Sequence, residues 1–128
     1  MGTPTILSIL HHDIEKLKDI HYLLIDAHNQ LPELRKEVTR LGYKIIDEEI
    51  VEEEQVFYEL VLFERGEESY LQEDYDFGPI LRKEKDAIFK KKWQGKIQKN
   101  FELLKNPLLT ENRKKELMDE IHYWEKQL

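Results

Sequence analysis

The sequence predicts an α/β fold with about three strands and flanking helices, followed by an antiparallel helical hairpin. Up to about residue 66, helical and strand-like patterns alternate, which is typical of α/β sheets. Beyond residue 80, only helical periodicity remains. The charge changes at the same place: residues 1–81 carry 7 basic and 19 acidic side chains, whereas residues 82–128 carry 13 basic and 8 acidic. These observations predict two kinds of structure in one chain.

The composition narrows the class of protein. The 128 residues suffice for one modest domain with an appendage. The chain has no cysteine, so disulfides and thiolate metal sites are excluded. It has no apolar run of about 18 residues to span a membrane, and its start lacks the pattern of a secretory signal. We therefore expect a cytoplasmic protein with neither a membrane nor DNA as a partner.

Two helices and a strand are predicted in the first 42 residues. Apolar residues at helical spacing predict the first helix: Ile6, Leu10, Ile14 and Leu17. The run over residues 22–25 is short and apolar on both faces, which predicts a buried strand of a parallel sheet. The second helix has Pro32 in its first turn and Gly42 beyond its end, with an apolar stripe of Leu31, Leu34, Val38 and Leu41.

Two further strands are predicted over residues 44–51 and 56–64. Both faces of the second are apolar, so we expect it at the centre of the sheet. The acidic run over residues 47–54 suggests a cation site, but successive residues of a strand face opposite sides and do not converge. A solvated edge whose charge discourages pairing with other strands is the preferred interpretation.

A joint is predicted at Phe77-Gly78-Pro79, after a polar and acidic linker. Glycine permits backbone angles that other residues resist, and proline fixes its own φ. A long helix is expected from residue 80 to 105, and Asn106-Pro107 ends it.

Thr110 is the predicted N-cap of a final helix. The buried stripe of that helix is expected to comprise Leu117, Ile121, Trp124 and Leu128. Because the connection is short, the two helices are predicted to pack antiparallel.

Few residues other than the lysines suggest chemistry. Asp26 and His28 lie two residues apart at the end of a predicted strand and are a candidate acid–base pair, although capping of the loop is the simpler interpretation. Neither a metal site nor a catalytic serine is expected, because acidic partners at ligand spacing and serine motifs are missing around the other candidates. Those candidates are His11, His12, His21, His122, Ser8 and Ser69.

Lysines on the predicted long helix are the main candidate for a binding site. Residues 82–105 carry 9 basic and 3 acidic side chains. Lys92, Lys96 and Lys99 are spaced i, i+4 and i+7, which forms a stripe able to follow RNA phosphates. The alternative is a solvated helix face. The full candidate set for RNA binding is Lys90, Lys91, Lys92, Lys96 and Lys99.

Trp93 and Trp124 have two interpretations. Aromatic rings can stack on unpaired bases. Their helical spacing with Ile97 and Ile121 instead predicts that both belong to the core of the helical pair.

Short motifs along the whole chain resemble one family. The motifs are Met1-Gly2, Leu34-Arg35, Gly42-Tyr43-Lys44-Ile45, Glu48, Glu52-Glu53, Phe57-Tyr58-Glu59, Gly66, Phe77-Gly78-Pro79, Leu81, Phe89 and Lys92-Trp93-Gln94. With this set, the sequence resembles the C-terminal part of the bacterial tRNA (adenine(22)-N1)-methyltransferases, which use S-adenosylmethionine.

The resemblance implies a partial Rossmann-like methyltransferase sheet over residues 1–66, a linker over 67–79, and a coiled-coil-like helical hairpin over 80–128. It implies that the full-length family binds S-adenosylmethionine and tRNA. Gly2 is the one candidate cofactor residue in this chain. The chain has no Gly-x-Gly after a strand, so we expect no cofactor binding by this chain alone. It has Asp26-Ala27-His28 where the family has Gln-Pro-Asn, which argues further against catalysis by this chain alone.

Two functional hypotheses follow. In the first, the chain is a fragment or truncated homologue of the methyltransferase and contributes tRNA binding through its basic helical arm. In the second, it is a non-catalytic interaction or RNA-binding protein that associates with itself. An uncovered strand over residues 22–27 or the apolar helices would mediate that association.

Overall fold

The computed structural model describes residue 11 and residues 19–128. Its backbone forms two compact units, Met1–Glu84 and Lys85–Leu128. The predicted first helix and Gly2 lie outside the described residues. The predicted domain limits at residues 66 and 79 stay predictions.

The first unit contains a three-stranded sheet. Its strands are β1 (Tyr22–Ala27), β2 (Tyr43–Glu53) and β3 (Val56–Arg65), in the order β1-β3-β2. As predicted, β3 is central, and it pairs antiparallel with both neighbours. The outer strands β1 and β2 therefore run in the same direction, and helix α1 (Leu31–Arg40) connects them.

The prediction for β1 was wrong in two respects. Its partner in the described sheet is antiparallel, and only one of its faces is buried. Ile25 and Ala27 are buried, whereas Leu24 is 67% exposed and Tyr22 is 55% exposed. A short apolar run does not reveal whether one or both faces of its strand are covered, because coverage depends on which elements pack there.

Two local features of the backbone, a tight turn and a β-bulge, shape the β2–β3 hairpin. Its turn consists of Glu54 and Gln55, both with positive φ (51° and 67°), as in the two-residue turns that suit the twist of a hairpin. A register shift between Ile45 and Asp47 leaves Ile46 as an extra residue. Such a bulge changes which face the following residues point to.

Helix α1 packs on one face of this sheet. Side chains from α1 and all three strands form the apolar core of the first unit: Ile25, Ala27, Leu31, Leu34, Val38, Tyr43, Ile45, Val61 and Phe63.

Two short helices follow the sheet, α2 (Gln72–Phe77) and α3 (Leu81–Glu84). The stretch that was predicted to be a linker therefore contains a helix. The carboxylate of Asp74 accepts a hydrogen bond of 2.9 Å from the backbone N–H of Leu71, which satisfies a free donor at the start of α2.

The long helix predicted from residue 80 is divided. Lys85 has a positive φ of 49°, which a continuous α-helix does not allow. Helix α4 (Ala87–Leu104) begins anew, because the carboxylate of Asp86 accepts a hydrogen bond of 2.8 Å from the N–H of Phe89.

The second unit pairs α4 with α5 (Glu111–Glu125). Thr110 caps α5 as predicted, accepting a hydrogen bond of 3.1 Å from the N–H of Arg113. The Trp93 and Trp124 ring centroids lie 5.8 Å apart, and Asn100 donates to the Leu117 carbonyl at 3.3 Å. The partner on α5 has a lower residue number when the residue on α4 has a higher one, so the helices are antiparallel. Coiled-coil geometry stays a prediction.

Most of the predicted stripe on the last helix is correct. Leu117 and Ile121 are buried, and Trp124 is half-buried. Leu128 is 40% exposed, because it lies beyond the end of α5. None of the helices within residues 19–128 is long and apolar enough to cross a membrane.

Candidate functional site

The candidate acid–base pair lies at the carboxyl end of β1. Asp26 and His28 are both exposed. The ring of His28 contacts that of Tyr58, with centroids 5.5 Å apart. This contact packs the His28 ring at the strand end, and both the acid–base pair and the capping role stay predictions.

The histidines lie in separate places. His11 bonds to Glu37 at 2.7 Å, and His21 bonds to Glu64 at 3.2 Å. His122 is exposed on α5, and His12 lies outside the described residues. Among residues 11 and 19–128, no group of three or more potential metal ligands is arranged to hold an ion.

The acidic run on β2 is solvated except at one position. Asp47, Glu49, Glu52, Glu53 and Glu54 are exposed, as predicted. Glu48 is only 5% exposed, which the sequence interpretation missed. The bulge at Ile46 is the physical reason, because it turns Glu48 and Ile50 toward α1.

Glu48 belongs to a buried ion cluster with Arg35 and Glu59. Arg35 is completely buried and Glu59 is 2% exposed. The guanidinium donates through Nε to Glu48 at 2.9 Å and through Nη2 to Glu59 at 2.5 Å. Its Nη1 donates to the backbone carbonyl of Tyr75 at 3.0 Å. All three nitrogens of the guanidinium are thus bonded.

Pairing register and helix periodicity bring these three charges together. In the β2–β3 ladder, Glu48 faces Val61 and Glu59 faces Ile50, so the two carboxylates are diagonal neighbours on the face covered by α1. Arg35 lies on the same side of α1 as the buried residues Leu31, Leu34 and Val38. Two features of the sequence could have indicated this buried cluster: an arginine within an apolar helical stripe and a glutamate within an apolar strand.

The cluster perturbs the pKa values of Arg35 and Glu48. Burial acts to lower the pKa of Arg35, but the charges of Glu59 and Glu48 outweigh burial and raise that pKa above its ordinary value. Burial raises the pKa of Glu48, against the opposing charge of Arg35 and the N–H of Ile80. The two shifts have different causes: the two carboxylates raise the pKa of Arg35, whereas burial raises that of Glu48.

The predicted joint lies against this cluster. Phe77 and Gly78 are buried at the end of α2, and Gly78 has a φ of +90°. Beyond them, Oε1 of Glu48 accepts hydrogen bonds from the N–H groups of Ile80 (2.9 Å) and Leu81 (3.4 Å). The tripeptide thus lies within the first unit, and its role as a domain joint stays a prediction.

The five candidate lysines all lie on α4. Lys90, Lys91, Lys96 and Lys99 are exposed, and Lys92 is half-buried. The helix carries a single acidic residue, Glu102. The positive charge expected from the sequence is therefore concentrated on one helix.

The tryptophans are core residues, as their spacing predicted. Trp93 is 7% exposed and Trp124 is half-buried. Two of the lysines cover their rings: the Nζ of Lys92 is 5.0 Å from the Trp93 centroid, and the Nζ of Lys96 is 5.5 Å from the same centroid. These lysines are placed by aromatic contacts that the sequence did not reveal.

The fold and the basic helix define a class of protein, namely an α/β protein in which a three-stranded sheet precedes a pair of antiparallel helices, one of them rich in lysine. A model of the tRNA (adenine(22)-N(1))-methyltransferase family (TrmK) matches residues 1–126. The chain therefore belongs to this family, as the sequence motifs predicted.

Individual relatives agree with this assignment. The tRNA (adenine(22)-N(1))-methyltransferase of Bacillus subtilis strain 168 is 29% identical over 128 residues, covering 93% of this chain and 54% of that protein. The crystal structure of Streptococcus pneumoniae Sp1610, a protein described as a putative tRNA (m1A22) methyltransferase, has a TM-score of 0.92 at 31% identity. The alignment covers all of this chain and 58% of the Streptococcus pneumoniae chain. This chain thus spans about half the length of these relatives.

Another structure of the Streptococcus pneumoniae protein is a complex with S-adenosyl-L-methionine, with a TM-score of 0.88 at 30% identity. Such a cofactor needs a glycine-bearing turn between a strand and a helix. Within residues 19–128, β1 leads to α1 through His28, Asn29 and Gln30, and β2 leads to a hairpin. Gly66 follows β3 but leads to irregular chain. The described residues do not by themselves fit the cofactor.

Gly78 tests how tightly the cluster is packed. A Cβ at this position would lie 2.7 Å from Oε1 of Glu48 and 2.8 Å from Nη2 of Arg35. We expect Gly78→Ala to lower the free energy of unfolding by about 2–4 kcal/mol, measured by urea denaturation. Gly95→Ala is the control: a Cβ added there would meet no atom within 4 Å outside its own stretch of helix, and this change in a helix is expected to stabilise by about 0.5–1 kcal/mol. Equal effects of the two changes would contradict the packing argument.

Arg35 tests the charge balance of the same cluster. Arg35→Met leaves two buried carboxylates without their cation, so we expect a loss of about 3–5 kcal/mol in the free energy of unfolding. Arg40→Met is the control, because Arg40 forms an exposed pair with Glu37 on the same helix, and such pairs contribute about 0–1 kcal/mol. A loss below 1 kcal/mol for Arg35→Met would show that the cluster does not depend on this charge.

Proposed function

We propose that this chain corresponds to the C-terminal part of a cytoplasmic, S-adenosylmethionine-dependent tRNA adenine-N1 methyltransferase and supplies its tRNA-binding helical arm. Family membership over residues 1–126 supports the reaction class. The cofactor site and the catalytic group would be supplied by sequence outside this chain, which matches about half of the relatives' length.

The charge distribution of the helical pair carries the tRNA-binding part of this proposal. Helix α4 has five lysines and one glutamate, whereas α5 has five acidic and three basic residues. Two of those three basic residues pair on α5 itself, Arg113 with Glu116 and Lys114 with Glu111. A basic helix on an acidic protein favours a polyanion such as RNA.

The arrangement also suggests how tRNA would be held. Lysine contacts with phosphates release bound counterions and give affinity without reading sequence. The lysines of α4 would thus hold and orient the tRNA, while recognition of adenine 22 would take place at the catalytic centre of the complete enzyme.

Binding of tRNA should depend on the α4 lysines. We expect the triple change of Lys92, Lys96 and Lys99 to glutamine to weaken tRNA binding at least about tenfold at low salt. The slope of log K against log[salt] should become shallower by about two to three, since three phosphate contacts are lost. Filter binding or gel shift at several salt concentrations measures both quantities.

The matched control changes three lysines on α5 or directly after it to glutamine: Lys114, Lys115 and Lys126. This variant has the same net charge as the α4 variant, and we expect its tRNA affinity to be nearly that of the unchanged protein. Equal losses of tRNA affinity in the two variants would show that only net charge matters, and would refute a specific binding surface on α4.

Cofactor binding provides a separate test. We expect isothermal titration calorimetry of these 128 residues with S-adenosylmethionine to give no saturable heat, because the described strands lack the glycine-bearing turn. The family relative from Streptococcus pneumoniae serves as the positive control. Saturable binding with one site per chain would overturn this part of the proposal.

A second candidate function is that of a non-catalytic protein that associates with itself and binds RNA. The observation that favours it is the edge strand β1, where Tyr22 and Leu24 are large apolar residues exposed to solvent. Exposed apolar edges pair readily with another chain.

Self-association through β1 should be sensitive to a charge on its open face. We expect light scattering to show dimers or larger species at high protein concentration, and Leu24→Lys to shift them to monomers. Leu108→Lys is the control, because Leu108 is 88% exposed but lies in the second unit. A monomer at all concentrations would exclude this association.

A further inference from the structure

Two lysine side chains of α4 converge on a pair of indole rings. The Nζ of Lys92 lies 5.0 Å from the Trp93 centroid. The Nζ of Lys96 lies 5.5 Å from the Trp93 centroid and 5.9 Å from that of Trp124. The rings themselves are 5.8 Å apart at an angle of 50°. Lys96 therefore reaches both helices of the second unit.

The rings restrict where the two ammonium groups lie. An aromatic face attracts a cation at these distances. Trp93 is 7% exposed, and its ring also contacts Phe89 at 6.4 Å, so packing holds it in place. A lysine on an open helix surface samples many rotamers and loses that freedom when it binds a ligand. Lysines that already rest on fixed rings have less freedom to lose.

The spacing of the two lysines suits a nucleic acid backbone. Lys92 and Lys96 are four residues apart, which places them about 6 Å apart along the helix axis, comparable to the distance between successive phosphates of one strand. Like charges at this spacing repel each other, and a bound phosphate offsets the repulsion. An ammonium over a ring still has N–H donors that point away from the ring.

We propose that Trp93 and Trp124 are positioning residues, which hold Lys92 and Lys96 as a preformed site for the phosphate backbone of RNA. This inference rests on the proposed tRNA binding by α4. Because Trp124 comes from α5, the complete site exists only when the two helices are paired. The second helix thus contributes to binding through a neutral side chain rather than through its own charges.

Substitutions of Trp124 test the inference without changing any charge. Trp124→Leu keeps an apolar side chain but removes the aromatic face, and we expect tRNA affinity to fall about two- to fivefold. Trp124→Phe keeps an aromatic face and should restore most of the affinity. The salt slope should remain that of the unchanged protein in both variants, since the number of phosphate contacts is the same. Circular dichroism verifies that each variant is folded, and Trp124→Met replaces the leucine variant if the latter unfolds.

A double-mutant cycle separates positioning from a structural role. Lys96→Gln should weaken tRNA binding more in the unchanged protein than in the Trp124→Leu background, because the ring positions this lysine. Equal losses in the two backgrounds, or equal affinities of folded leucine and phenylalanine variants, would overturn the positioning role. If the triple lysine variant loses binding while Trp124→Leu does not, only this inference fails. If the unchanged protein does not bind tRNA at low salt, the proposed function itself fails.

Discussion

The first unit depends on a buried arginine that must have its charge compensated. Arg35 is fully enclosed, and a cation taken out of water is costly unless hydrogen-bonded counter-charges surround it. Glu48 comes from β2, Glu59 from β3 and the third acceptor from the end of α2. One side chain thus constrains the helix, two strands and the segment that follows the sheet. The bulge at Ile46 and the positive φ of Gly78 are needed to make room for this arrangement.

The second unit follows a different principle. Its interior is an aromatic and aliphatic seam between two antiparallel helices, closed by Trp93, Ile97, Leu117 and Ile121. Its exterior divides by charge, since lysines dominate α4, whereas α5 has an excess of acidic residues and pairs two of its basic side chains with its own glutamates. The lysine–tryptophan contacts connect this interior with the charged surface, because the indole rings that pack between the helices also contact the ammonium groups outside.

Much of this was predictable because it is local. The strand-like and helical patterns located the three strands and the helices α1 and α5. Because both faces of β3 are apolar, the sequence also placed this strand at the centre of the sheet. The N-cap at Thr110 followed from residue type alone. The interpretation failed for β1 and Glu48 because distant segments decide the outcome there: one face of β1 is open, and Glu48 is buried instead of solvated. It also failed at Lys85, where a positive φ and the cap at Asp86 interrupt the long helix locally.

The sequence by itself determined the family, the division of charge between the two parts of the chain and the concentration of lysines on one helix, because motifs, composition and helical spacing are all properties of neighbouring residues. The tertiary structure decided which charged groups are buried and how the cations are arranged. Glu48 and Glu59 lie 13 and 24 positions after Arg35 in the chain, and Lys96 contacts Trp124 of another helix. Such contacts depend on strand register and helix pairing, which bring together residues that no local pattern relates.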